Sequence, residues 1–72
     1  MSSGIHLFDV VALLEDIPTM HLCRGQVGTV VEELAPGAFE VEFCDNDGQT
    51  LASLGLRAEQ LLVLHYDLAR SA

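Results

Sequence analysis

From Phe8 onward the chain sets short apolar runs between breaks rich in glycine, proline and aspartate, a rhythm of strands and turns and not of helices. Ala38 to Cys44 carries the cleanest alternation. Phe39, Val41 and Phe43 fall on one face and Glu40 and Glu42 on the other, the period of two that a half-buried strand requires. Phe8 to Leu14 is predicted as a first strand that is apolar on both faces after Asp9, so neither face is free to meet water. One face is expected in the core and the other against a neighbour.

Gln26 to Leu34 is the predicted second strand, entered through the turn at Arg24-Gly25 and carrying Gly28 inside it, where a missing side chain lets backbones approach closely. Ala35-Pro36-Gly37 then supplies a turn, with proline fixing one dihedral angle and glycine accepting a positive φ. Asp45-Asn46-Asp47-Gly48 is a second strong turn, and Thr50 to Leu54 returns as a fourth strand. Gly55 to Gln60 reads as a single helical or 3₁₀ turn before a last short strand, Leu61 to Leu64. Glu15 to Leu22 is the longest loop, because Pro18 interrupts any ladder.

Five short strands with one tight turn before the last predict an all-β fold, a small five-stranded SH3-like barrel. The expected organisation is an N-terminal segment over 1–7, the barrel over 8–64 and a C-terminal tail over 65–72. Seventy-two residues make one domain with a thin stability margin. Half of them are apolar, yet there are only three Phe, one Tyr and no Trp, so the core is expected to rest on Val, Leu and Ile. That apolar share exceeds what one small core hides, which points to a subunit interface. Val11, Leu13, Leu62, Tyr66 and Leu68 are its candidates.

Charge removes whole classes of partner. Eleven acids against Arg24, Arg57 and Arg70 give a net charge of -8, so phosphate backbones and anionic membrane surfaces are repelled, and neither nucleic acid nor membrane is expected as a partner. A basic protein surface is favoured instead. Met1 to His6 lacks the basic region of a secretory signal and no segment is long enough to span a bilayer, so a cytoplasmic location is expected. Cys23 and Cys44 are then expected as free, mostly buried thiols.

Candidate chemistry is sparse. Glu32 falls opposite Glu40 if the hairpin turns about Pro36, with Glu42 further along the same face. This is either a docking ladder for a basic partner or cation, or a solvated outer face. Asp45 to Gly48 has the first half of a calcium-binding loop, but the twelfth position falls at Leu56, and a self-capping hairpin turn is the better reading. His6, His21, Cys23, Cys44 and His65 are the soft ligands. His21 and Cys23 make one close pair where zinc sites use two, so no metal or cofactor is expected. Arg24 beside Cys23 favours a thiolate, but no partner completes a nucleophilic pair. Arg57, near Glu59, is expected to bind backbone carbonyls or pair with the acidic strands. No pair of carboxylates is set around a pocket, and no enzyme activity is expected.

Four segments carry a likeness to a known family: Asp9 to Pro18, Arg24 to Glu32, Phe39 to Phe43 and Leu56 to Leu61. With them the chain resembles the domain of unknown function family 4926. The resemblance implies an SH3-like fold of short bacterial proteins, some carried on mobile elements or beside toxin-type genes, and brings no assigned activity or functional residues. Gln26 to Glu33 is also loosely similar to the KOW motif, whose RNA-binding basic residues are missing here. The expected function is a protein-interaction or self-assembly module. An antitoxin or immunity-type protein that neutralises a basic partner and a small-ligand binding module are the alternatives.

Overall fold

The computed structural model describes residues 4–45 and 47–65. Five strands, β1 (Val10–Leu13), β2 (Val27–Ala35), β3 (Ala38–Cys44), β4 (Thr50–Arg57) and β5 (Leu61–Val63), form one antiparallel sheet in the order β4-β3-β2-β1-β5. Two 3₁₀ turns, Pro18–Met20 and Ala58–Gln60, are the helical elements among the described residues. The chain is therefore all-β with the predicted five strands and the predicted tight turn before the last. The sheet stays open, with β4 and β5 as its two edges.

The turns form for the reasons their residues supply. Pro36 and Gly37 link paired Ala35 and Ala38, and Gly37 takes φ +79°. At the next turn Asp45 caps its own backbone: Oδ1 accepts from the N–H groups of Asp47 and Gln49, each at 2.9 Å, and Gly48 bends at φ +83°. Gly25 adopts φ +89° and donates to the Leu13 carbonyl at 2.7 Å. Gly28 is needed for a different reason. A Cβ there would lie 2.8 Å from the Glu42 carbonyl oxygen and from the ring of Phe43.

Two boundaries differ from expectation. β1 begins at Val10 because Phe8 turns away at φ +70°, although its N–H still donates to the Val30 carbonyl at 2.7 Å. β4 continues through Gly55 to Arg57, since the full length of β3 remains available and Leu56 and Arg57 pair with Phe39 and Ala38. Gly55 is tolerated inside the strand because Leu34 lies over it, with Cδ1 3.0 Å from where a Cβ would stand. The long loop folds back on itself through paired Ile17 and Leu22 around the Pro18–Met20 turn.

One apolar cluster lines the inner face: Val11 and Leu13 from β1, Val30 from β2, Phe39, Val41 and Phe43 from β3, Ala52 and Leu56 from β4 and Leu61 from β5. Phe39 and Phe43 are its largest fully buried members, so aromatic rings carry more of the core than the composition suggests. Ile5 and Leu22 join from outside the strands. The core therefore extends upstream of the expected barrel start at Phe8. Cys23 and Cys44 are free but exposed, not buried: Cys23 lies in a loop, and Cys44 follows inward Phe43 and so points outward.

Candidate functional site

The outer face of the sheet divides into an acidic half and an apolar half. In the acidic half Glu32 stands directly opposite Glu40, a pairing reached through the one-residue register shift between Glu33 and Ala35. Glu42 lies between Thr29 of β2 and Ser53 of β4. The Ser53 hydroxyl donates to Glu40 Oε2 at 2.6 Å, drawing that carboxylate toward the β4 edge. Like charges set opposite one another cost up to about 1 kcal/mol, and nothing basic intervenes in these register pairs.

The apolar half is built on β1. Ala12 is flanked by Val27 on β2 and by Leu62 on β5, so one row of three apolar residues crosses three strands. Val10 and Leu14 lie on the same side by the strand's alternation. Leu62 is 51% exposed and Val27 and Leu14 are each 46% exposed. These are large apolar side chains left in water by a molecule that fully buries Val11 and Leu13.

That placement bears on the residues expected at an interface. Val11 and Leu13 belong to the chain's own core, and it is the opposite parity of the same strand that faces out. Leu62 is exposed, and Tyr66 and Leu68 lie outside the described residues. A strand that is apolar on both faces carries no parity signal, so Val10, Ala12 and Leu14 were indistinguishable from Val11 and Leu13 in sequence.

His21 and Cys23, close in sequence, stay close in the structure. His21 ends the Pro18–Met20 turn at φ +56° and, with Asp16, Pro18, Leu22 and Cys23, lines a shallow open depression. Asp16 is engaged there by the Arg24 N–H at 2.8 Å. Among the described residues no three His, Cys, Asp or Glu side chains come together as a metal set. Arg57 binds Glu59 at 2.9 Å, with both side chains largely exposed, and does not reach the acidic strands. Its own N–H donates to Gln60 Oε1 at 2.8 Å, which closes the last turn.

Among the described residues no helix is long and apolar enough to cross a membrane. No curated protein and no solved structure matches the chain. A family model does match, over residues 7–63, which takes in all five strands and both halves of the outer face. By that match the chain belongs to the family described as Domain of unknown function (DUF4926).

Proposed function

We propose that this protein is a non-enzymatic interaction module that self-associates through the apolar half of its outer face. The observation that carries the reading is the row Val27, Ala12 and Leu62, continued by Val10 and Leu14, on a sheet whose other face is already filled. Large apolar side chains left exposed in one row across neighbouring strands favour association.

Light scattering on the purified chain tests this. The wild type is expected to exceed the monomer mass at micromolar concentration, and Leu62→Glu to return it to monomer without loss of folding, since that side chain is half exposed. A wild type that stays monomeric at high micromolar concentration overturns the reading.

The acidic half supports a second reading. Glu32, Glu40 and Glu42, on a chain of net charge -8, suit a basic protein partner of the kind an antitoxin or immunity protein neutralises. Titration with a lysine-rich peptide at low salt checks it. Binding that fades with added salt and with Glu40→Gln and Glu42→Gln supports it, and no binding at low salt removes it.

A further inference from the structure

We propose that the free edge of β4 takes up an extended basic segment of another protein as a sixth strand, with a lysine or arginine set beside Ser53. This rests on the basic-partner reading of the acidic half and names how that partner is held. The sheet ends at β4 on one side and at β5 on the other. β5 is three residues long, whereas β4 runs for eight and pairs with β3 alone among the described residues. Edges of that length are ordinarily blunted by proline or by charge. Here a one-residue shift at Leu51 marks the start of the strand and Arg57 its end, and Ala52 to Leu56 between them carry neither.

Hydrogen-bond parity shows which groups face the free side. Ala58 N–H donates to the Gly37 carbonyl at 2.9 Å, continuing the ladder to β3, while Arg57 N–H turns away and is taken by Gln60 Oε1 at 2.8 Å. Donors alternate along an antiparallel strand, so Gly55 and Ser53, the register partners of Glu40 and Glu42, present N–H and C=O to the open side. These are the groups that an added strand uses.

Side chains decide the occupant. On the outer face an added strand has Ser53 and Gly55 as its neighbours, with β3 about 10 Å away, two strand spacings. Glu42 is the register partner of Ser53, and the Ser53 hydroxyl donates to Glu40 Oε2 at 2.6 Å, so both acids of β3 belong to one small side chain at the edge. A lysine or arginine beside Ser53 lays its aliphatic stem across that residue and brings its charge to them. Toward the other end the chemistry changes. Leu34 lies over Gly55, with Cδ1 3.0 Å from where a Cβ would stand, and Arg57 follows two residues on. The residue beside Gly55 is therefore apolar, because a base there would meet Arg57. A second copy of this chain fits the edge less well. Bringing its own Arg57 beside Ser53 would require the Arg57 N–H that Gln60 already occupies.

Peptide titration with amide hydrogen exchange at low salt tests this. The probe is a capped threonine hexapeptide carrying one lysine and, two residues away, one valine, made in both chain orders. Its control is the same peptide N-methylated at alternate amides, which keeps the charge and removes strand pairing. With the probe near saturation, exchange at Ser53 and Gly55 is expected to slow by about tenfold or more, and the control to bind about tenfold or more weakly. Glu42→Gln is expected to weaken the probe several-fold. Ser53→Pro, which blocks a free-side N–H without removing a bond to β3, is expected to abolish binding while circular dichroism stays that of the wild type. Equal binding of probe and control, or binding without slowed exchange at Ser53 and Gly55, overturns the edge geometry and leaves the acidic-face reading standing. So does binding of a lysine-rich peptide when neither order of the probe binds. Exchange at these two residues that slows with protein concentration alone puts a second copy on the edge and overturns the proposed occupant. No binding of any of these peptides overturns both readings.

Discussion

Gly28 and Gly25 are both required, for reasons that separate in experiment. At Gly28 the backbone is ordinary but the space is taken, by the Glu42 carbonyl oxygen and the Phe43 ring at 2.8 Å. Gly28→Ala is expected to lower unfolding stability by about 1–3 kcal/mol through overpacking, measured by urea denaturation. At Gly25 the space is open and the constraint is φ +89°. Gly25→Ala is expected to lose about 1 kcal/mol, and Gly25→Asn less, because asparagine tolerates the left-handed region. At Gly28 asparagine is expected to do worse than alanine, the opposite order.

At the scale of elements, the strands and their turns were legible wherever one face is polar. The alternation of Phe39, Val41 and Phe43 with Glu40 and Glu42 marks β3, whereas the Glu32 and Glu40 pairing depends on the register shift between Glu33 and Ala35 as well as on the turn at Pro36. Legibility ended where alternation is broken or absent. Three residues, Val31, Leu34 and Leu51, have no opposite number because the register shifts by one at each, and all three are exposed. A bulge resets the period of two, so Val30 pairs with inward Val41 while Glu32, two residues on, pairs with outward Glu40. β1 offers no polar face from which to read its parity, so its sequence alone does not tell inward Val11 and Leu13 from the residues between them. The opposed acids of β2 and β3 give a prediction at the same scale. Glu32→Lys is expected to raise stability by about 0.2–1 kcal/mol in low salt, with the gain shrinking as salt is added, by thermal or urea unfolding.

For the whole molecule, the strand order places the two halves of the outer face on opposite sides of β2. The β3 and β4 side gathers Glu40, Glu42 and Ser53, and the β1 and β5 side gathers Val10, Ala12, Leu14 and Leu62. On a chain with net charge -8, the proposed self-association is placed on the second side because those residues carry no carboxylate to oppose on a second copy. Residue-resolved NMR across a dilution series tests that claim most directly. Amide signals of Val10, Ala12, Leu14, Val27 and Leu62 are expected to move with protein concentration while those of Glu40, Glu42 and Ser53 stay in place. Spectra that do not change with concentration, or changes confined to the acidic half, would contradict it.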